Sequence, residues 1–452
     1  MWAPSLAVLL LSSMLGMDCQ AFAPSNNGQR AASCTPRKSS TDKYLQSLHV
    51  SAANEAPAQV IPIENAQECE QKLVVDSVDF VPIEIWYQTW GNPNGIPVLF
   101  VHGGPGQCVG DYENMNGKFF DSSKYFVVEV DQRGTGKSTP SVRDDPANMA
   151  LYRDIDLAQM SQDFELLRKH LGISQWLVFG GSWGSTLGLD YAERYPTSCL
   201  GLIARGIFLA TAKEMDAVYT RNGIQKLPPT PDRRNVKNFL TFWKVANQEY
   251  EKLLLESATD EDAKKLLSSI VAKGKRNELF EKDDYSSGQF PIVLDPNNSY
   301  GMLKLYERLI VAGDREATWK FYVFEYNLME EDESKLLDFE VIDESLYEEA
   351  RSVSFFEARL FLKSVYESEV DLLGSVSSLA DVPTWIVQGR SDAVCPDKFA
   401  RDLEAELQRL GGVLKGSYFL ANAGHKASST RISDTLIKMV DEFHSFYTAS
   451  EK

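Results

Sequence analysis

Cysteine is scarce in this chain and is not spaced for a metal site. The six cysteines among 452 residues are scattered, and no two of them form a C-x-x-C pair. Structural zinc sites and disulfide-rich domains both need cysteines at short, regular spacings. The sequence therefore predicts neither a zinc site nor a disulfide framework.

An excess of positive charge and long apolar runs are also missing. The formal net charge is −18, so the chain lacks the surplus of Lys and Arg that nucleic-acid binding requires. The apolar run at residues 6–15 is too short to cross a bilayer. We therefore expect no nucleic-acid partner, and no membrane contact in the mature form. The content of 43% hydrophobic and 24% charged residues is typical of a globular protein.

The first 55 residues have the composition of a targeting leader. The run at 6–15 resembles the hydrophobic part of a signal peptide, and Cys19-Gln20-Ala21 fits a cleavage site. Residues 22–53 are rich in Ser, Ala and Asn and are basic, as transit peptides are. The stretch Gln20-Ala21-Phe22-Ala23-Pro24 resembles the signal/transit junction of algae with secondary plastids. We expect residues 1–55 to direct plastid import; secretion is the alternative.

The rest of the chain is patterned as an α/β core with an insertion. Short apolar strands alternate with helices over residues 98–210, which predicts a mostly parallel, doubly wound sheet. The pattern is interrupted at 211–375 and returns at 376–452. We predict that residues 70–210 and 376–452 form one core, with a helical cap inserted at 211–375. An independent second domain is the alternative for the insertion.

Within the insertion, charged residues and aromatics dominate. The segments 252–275 and 328–349 are heavily charged and are predicted to be helical or partly mobile. A helical cap in this position would cover the carboxyl ends of the core strands.

A serine in a glycine-rich turn is the first candidate catalytic residue. Residues 176–196 begin as an apolar strand, pass through Gly180-Gly181-Ser182-Trp183-Gly184 and continue as a helix. The spacing Gly-x-Ser-x-Gly is typical of a nucleophile elbow, a strained turn that lifts the serine hydroxyl above a sheet. Ser182 is therefore predicted to be a nucleophile, with an ordinary turn serine as the alternative.

Histidine is also scarce, which narrows the search for a base. Four of the five histidines lie in the leader, on predicted helices or in the loop at 102–106. Only His425 follows a strand, in a glycine-marked loop, downstream of Asp392, which itself follows the strand at 383–388. The order Ser182, Asp392, His425 is that of α/β-hydrolases. We predict these three as a catalytic triad that needs no metal and no cofactor.

A second glycine-rich loop is a candidate for the oxyanion hole. The strand at 98–101 opens into His102-Gly103-Gly104-Pro105-Gly106, where a backbone N–H of Gly103 or Gly104 can point at an oxyanion. The N–H of Trp183, the residue after the nucleophile, would supply the second donor. Each such donor typically contributes about 3 kcal/mol. A tight turn without a catalytic role is the alternative for this loop.

Together these motifs resemble those of proline iminopeptidases, also called prolyl aminopeptidases. The matching segments are HGGPG at 102–106, DQRGTGKS at 131–138, GGSWGSTLGLDYAERYP at 180–196, RGIFL at 205–209, GRSD at 389–392 and AGH at 423–425. The resemblance implies a serine peptidase on the α/β-hydrolase fold. It also implies that the substrates are peptides with a free N-terminus, from which proline is released.

Two acidic motifs of that family have counterparts in the insertion. Its Trp-x-x-Trp-Glu motif appears as Phe321-Tyr322-Val323-Phe324-Glu325, and its Glu-Asn-His-Tyr-Phe motif as Glu357-Ala358-Arg359-Leu360-Phe361. Because both glutamates are kept, the resemblance implies that Glu325 and Glu357 bind the substrate. The alternative is two solvated helix-face glutamates. For the whole chain, the alternatives are an esterase or lipase-like hydrolase on the same fold and a non-catalytic binding protein.

Overall fold

A computed structural model describes residues 69–112, 116–228, 234–257, 294–368 and 370–450. The predicted leader at 1–55 and most of the predicted helical segment at 252–275 lie outside the described residues.

Eight strands form a single sheet in the order β1-β2-β4-β3-β5-β6-β7-β8. The strands are β1 (Cys69–Val78), β2 (Val81–Gly91), β3 (Ile96–Val101), β4 (Tyr125–Asp131), β5 (Trp176–Gly181), β6 (Cys199–Arg205), β7 (Thr384–Gly389) and β8 (Leu414–Leu420). The β1–β2 and β2–β4 pairs are antiparallel, and the other five pairs are parallel. The predicted mostly parallel α/β sheet is confirmed.

The described helices lie on both faces of the sheet and in one insertion. The longer ones are α1 (Leu157–His170), α2 (Trp183–Arg194), α3 (Ala212–Tyr219), α4 (Arg234–Ser257), α5 (Ser299–Val311), α6 (Arg315–Met329), α7 (Tyr347–Tyr366), α8 (Asp397–Arg409) and α9 (Thr430–Ser450). Single-turn helices cover Asn116–Phe119, Arg221–Ile224 and Leu372–Ser375. No helix in the described ranges is long and apolar enough to cross a membrane.

The central strands bury both of their faces because their side chains alternate between two hydrophobic cores. In β3, Leu99 and Val101 join the core that contains α1 and α2, whereas Val98 and Phe100 join the core against α9. All seven residues of β4 are buried. Strands buried on both faces read as continuous apolar runs, which explains why these strands could be predicted from sequence.

Helices α3 to α7 lie between β6 and β7, where the helical insertion was predicted. Their interior is aromatic: the ring of Phe242 stacks on those of Tyr306 and Phe324, with centroids 4.3 Å apart in each case. Helix α7 also contacts the glycine-rich loop after β3, since Ser352 Oγ donates to the carbonyl of Gly106 at 2.8 Å. This contact places the insertion over the carboxyl end of the sheet.

The structure corrects the prediction of helix over 328–349. Helix α6 ends at Met329 and α7 begins at Tyr347; between them lies only a 3-10 turn, Glu333–Lys335. The linker is held by side-chain bonds instead: Asn327 donates to the carbonyl of Leu337 and accepts from its N–H. The high density of charge resembled a helix face, but the segment lacks the apolar spacing that a packed helix needs.

Candidate active site

Ser182 stands in a strained turn between β5 and α2. Its backbone has φ 57° and ψ −128°, a conformation that costs a non-glycine residue on the order of 1–3 kcal/mol. The flanking glycines allow close packing: a Cβ on Gly180 would lie 2.2 Å from the carbonyl oxygen of Gly184, and one on Gly184 would lie 2.3 Å from that of Val101. The predicted elbow is therefore present.

The structure brings the three predicted triad residues together. His425 Nε2 lies 2.9 Å from Ser182 Oγ, and His425 Nδ1 lies 2.8 Å from Asp392 Oδ2. The side chains of Asp392 and His425 are only 1% and 4% exposed. This is the serine–base–acid chain in which a histidine can take the hydroxyl proton and a carboxylate can fix its tautomer.

A network around Asp392 holds its carboxylate in place. The backbone N–H groups of Val394 and Cys395 donate to Oδ1 at 3.0 and 2.8 Å, and Gln388 Nε2 donates to Oδ2 at 3.0 Å. Gln388 also accepts from the N–H of Ile207 through Oε1, at 2.8 Å. The acid of the triad is thus tied to both β7 and the segment after β6.

The loop carrying His425 is held by contacts from β6. Arg205 Nη1 donates to the carbonyl of His425 at 2.6 Å. The next residue, Gly206, has φ 58°, and a Cβ there would lie 3.2 Å from His425 Cε1. A glycine in this position leaves room for the imidazole between β6 and Ser182.

Of the predicted oxyanion donors, Gly104 and Trp183 line the cavity that contains Ser182. Trp183 is the first residue of α2, so its N–H belongs to the first turn and is without an intrahelical partner. Gly103 is set back from this cavity, and its carbonyl lies 2.9 Å from His102 Nδ1. In a trans peptide the N–H points opposite to the preceding carbonyl, so this contact turns the Gly104 N–H away from His102.

His102 holds the glycine-rich loop as a neutral imidazole. Its Nε2 accepts from the N–H of Gln132 at 3.1 Å, which leaves Nδ1–H to donate to Gly103. Burial lowers the pKa of His102 to about 4, so the ring stays uncharged at neutral pH. The Gln132 side chain then donates to the carbonyl of His102 and accepts from the Trp183 indole N–H. One glutamine therefore connects the two predicted oxyanion segments.

The triad opens into a cavity of about 360 Å³ between the sheet and the insertion. The cavity is lined by the triad's Ser182 and His425, by apolar residues of the insertion, and by both predicted glutamates. The lining includes Trp183, Phe208, Val218, Tyr219, Glu325, Glu357, Phe361 and Cys395.

Glu325 and Glu357 are each 6% exposed, so they are not the solvated glutamates of the alternative interpretation. The Tyr219 hydroxyl donates to Glu325 Oε1. Glu357 Oε2 is buried and has no hydrogen-bond partner within the described part of the chain. A buried carboxyl oxygen without a donor is costly, which points to a donor that comes from a ligand.

Burial also sets the charge of this pair. Desolvation raises the pKa of Glu325, although the Tyr219 hydrogen bond works against the rise. The pKa of Glu357 lies well above its ordinary value, first because of burial and second because of repulsion by Glu325. Without a cation nearby, the two carboxyls therefore tend to hold a proton.

Several residues of the site were missed by sequence reasoning. Tyr219, Arg205, Gln388 and Cys395 contact the triad or the glutamates, but none of them was predicted as a site residue. Arg205 is the first residue of the RGIFL segment at 205–209 and Gln388 directly precedes GRSD at 389–392, so these matching segments were the available signal. Tyr219 and Cys395 gave none.

The chain is similar in sequence to several known proteins. Residues 96–240 match the family model described as alpha/beta hydrolase fold. A probable proline iminopeptidase from Leptolyngbya boryana is 32% identical over 367 residues, covering 79% of this chain and 90% of that protein. The proline iminopeptidase of Arabidopsis thaliana is 30% identical over 358 residues, covering 78% and 75%. Among solved structures, a bromoperoxidase from Bacillus anthracis covers 83% of this chain with a TM-score of 0.48 and 14% identity.

Proposed function

This chain belongs to the proline iminopeptidase family, and on that premise we propose how its residues release an N-terminal proline. The protein is a serine aminopeptidase on the α/β-hydrolase fold. The observation that carries the substrate proposal is the buried Glu357 Oε2, which has no hydrogen-bond partner among the described residues and lies beside Glu325 in the same cavity as Ser182.

The triad performs the acyl transfer. His425 Nε2 accepts the proton of Ser182 as Oγ attacks the carbonyl carbon of the N-terminal proline, and Asp392 stabilises the resulting imidazolium. The N–H groups of Gly104 and Trp183 bind the oxyanion of the tetrahedral intermediate. The leaving amine takes the proton from His425, and water then releases proline from Ser182 by the same route in reverse.

The two glutamates bind the amine of the substrate. A protonated N-terminal proline has an –NH₂⁺– group with two N–H donors and a single positive charge. Glu325 and Glu357 offer it two carboxyl acceptors, one of them without any other described partner. Because the cation favours the charged forms of both carboxyls, binding offsets the repulsion that otherwise exists between them.

The proline ring would lie against the apolar part of the cavity. Phe361 packs edge-on against Phe208, with ring centroids 5.3 Å apart, and its ring lies 6.3 Å from that of Trp183. These rings and Val218 line the same space as the glutamates. A compact apolar ring fits there, while an amine at the glutamates limits the chain to one residue before the scissile bond.

Replacing either glutamate by glutamine tests this proposal. Glu325→Gln and Glu357→Gln should each lower kcat/KM for a Pro-arylamide by about 10- to 100-fold, because a hydrogen bond to a charged group contributes about 1.5–3 kcal/mol. Both variants should keep their activity on a simple ester without an amine. The measurement is steady-state kinetics on both substrates.

Glu349→Gln is the matched control, because Glu349 also lines the cavity but accepts a hydrogen bond from Tyr322. An equal loss in this variant would indicate that the overall negative potential, not the pair, binds the amine. If the wild type cleaves N-acetyl-Pro-arylamide as fast as the free substrate, the amine proposal is wrong and an esterase activity takes its place.

We also propose that residues 1–55 direct this enzyme to a plastid. The proposal is supported by the apolar run at 6–15, the Phe22 junction and the basic composition that follows.

A further inference from the structure

A thiol lies beside the catalytic triad and has no part in the reaction proposed above. Cys395 is a free cysteine, 2% exposed, and its side chain lines the substrate cavity. Its backbone is fixed on both sides, because its N–H donates to Asp392 Oδ1 and its carbonyl accepts from Gln388 Nε2. The side chain is thus held close to the acid and the base of the triad.

The metal-binding atoms of three residues converge at this point. One ligand atom each from Asp392, Cys395 and His425 lie within 4.8 Å of one another. The ligands of a tetrahedral zinc ion lie about 3–4 Å apart, because zinc bonds to sulfur, nitrogen and oxygen are about 2.0–2.3 Å long. Rotation of the Cys395 side chain and a small shift of the imidazole would bring the three ligand atoms from within 4.8 Å of one another to this shorter spacing.

We propose that this Asp–Cys–His cluster is an inhibitory site for a soft divalent cation, Zn²⁺ in particular. Carboxylate, thiolate and imidazole are the three ligand types that zinc takes in proteins, and a three-ligand site leaves its fourth position to water. The ion would reach the cluster through the substrate cavity, which Cys395 and His425 both line. On binding, the Cys395 thiol proton passes to solvent, and sulfur becomes a thiolate ligand.

Binding would stop the reaction whichever imidazole nitrogen the ion takes. If Zn²⁺ binds Nε2, the lone pair that accepts the Ser182 proton is occupied. If it binds Nδ1 in place of the hydrogen bond to Asp392, the ring proton moves to Nε2, which then cannot act as a base. Peptidase activity would therefore depend on the free zinc concentration around the enzyme.

The first experiment measures how zinc inhibits the peptidase activity. It therefore rests on the proposed function. Initial rates on Pro-arylamide are followed against free Zn²⁺ for the wild type and for Cys395→Ala, each relative to its own rate without metal. We expect the half-inhibitory zinc concentration to rise at least about tenfold in the variant, because loss of even an outer-shell partner typically weakens metal binding about 10- to 100-fold. EDTA should restore the wild-type rate, and Mg²⁺ should not inhibit.

Cys199→Ala is the matched control, since Cys199 is also buried but lies at the start of β6, outside this cluster. Its zinc inhibition should equal that of the wild type. Equal inhibition of the wild type and Cys395→Ala, or a wild type that zinc leaves fully active, would overturn the proposal.

A second measurement does not depend on activity. In Ser182→Ala, which should be inactive, Cd²⁺ should bind with the ultraviolet charge-transfer band of a cadmium–thiolate bond, and the band should vanish in Ser182→Ala/Cys395→Ala. An absent band in Ser182→Ala overturns the metal site even if the peptidase function holds. If the band forms in Ser182→Ala but the wild type releases no proline from Pro-arylamide, the metal site is supported and only the proposed function is contradicted.

Discussion

At the scale of single residues, the charge of Glu325 and Glu357 is governed by burial in the cavity. Burial raises the pKa of both carboxyls, and repulsion by Glu325 raises that of Glu357 further. Glu357 therefore holds its proton to a higher pH than an exposed glutamate does. If the pair binds the substrate amine as proposed, the ammonium group would favour the ionised carboxyls, so amine binding and proton release would be coupled.

This coupling predicts different pH profiles for two kinds of substrate. The acid limb of kcat/KM, which reports groups of the free enzyme and free substrate, should lie at higher pH for a Pro-arylamide than for an ester without an amine. In Glu325→Gln the repulsion disappears and the pKa of Glu357 falls, so the amide limb should move to lower pH. The measurement is kcat/KM against pH for both substrates.

The pH profile for the ester serves as the internal control, because the wild type and Glu325→Gln have the same triad. It should not move in Glu325→Gln. Coincident acid limbs for amide and ester in the wild type would show that the glutamates do not titrate in the productive pH range.

At the scale of an element, α3 begins the insertion with a capping box built from a buried glutamate. The Thr211 side chain accepts from the N–H of Glu214, and the Glu214 carboxyl accepts from the N–H groups of Leu209 and Thr211, both at 2.8 Å. Glu214 is 1% exposed, and burial raises its pKa to about 7 against these hydrogen bonds. We therefore expect the stability contributed by this helix start to depend on pH.

The direction of this pH dependence follows from the pKa of Glu214 in the unfolded and in the folded protein. In the unfolded chain Glu214 ionises near its ordinary pKa of 4.5, but in the folded protein it ionises only near 7. Its contribution to stability is complete below about pH 4.5 and is lost as the pH rises through 7. The shift corresponds to a loss of about 3 kcal/mol, at about 1.4 kcal/mol per pH unit.

We therefore expect Glu214→Gln to change the pH dependence of stability. The free energy of unfolding of the wild type relative to the variant should fall by about 3 kcal/mol between pH 4.5 and 8. Urea unfolding at a series of pH values measures it. Glu316→Gln, with a side chain 69% exposed on α6, is the control and should show no such slope. A difference between wild type and Glu214→Gln that stays constant with pH would contradict the prediction.

At the scale of the whole molecule, the site is assembled from distant parts of the chain. Loops after β3, β5, β6, β7 and β8 meet at the carboxyl end of the sheet, where strand order reverses around β3. This is where open α/β sheets bind ligands. The insertion between β6 and β7 then contributes Glu325 and Glu357 to the same cavity. Under the proposed function, catalysis and substrate choice would therefore come from separate layers.

The leader adds a prediction about where the whole protein works. Residues 1–55 fused to a fluorescent protein should enter the plastid of a secondary-plastid alga, because a signal-like run precedes a basic, transit-like segment. Fluorescence microscopy with a plastid marker measures the result.

Two variants make this test sharper. A fusion that starts at Phe22 lacks the apolar run and should remain in the cytosol. Phe22→Ala in the complete leader should be diverted from the plastid into the secretory route. Secretion of the unaltered fusion into the medium would show that the leader is only a signal peptide.

The sequence by itself determined the core strands and singled out Ser182, Asp392 and His425, which the structure brings into contact. Buried parallel strands are short apolar runs, and a glycine-marked turn follows the strand that precedes Ser182. Asp392 and His425 could be assigned because so few histidines follow a strand. Each of these signals lies within a few residues along the chain, so local patterns carry them. Of the alternatives for the charged segment at 328–349, the helical one was wrong, because charge alone does not separate a solvated helix from a linker.

Only the tertiary structure decided which side chains support these residues. Arg205 reaches the carbonyl of His425 across 220 positions of sequence, and Tyr219 reaches Glu325 across 106. Cys395 comes beside the imidazole of His425 because β7 and β8 are neighbours in the sheet. Such contacts depend on strand order and on how the insertion packs, and no local pattern encodes either. For the same reason, the charge of Glu357 follows from its burial beside Glu325, which the sequence alone does not reveal.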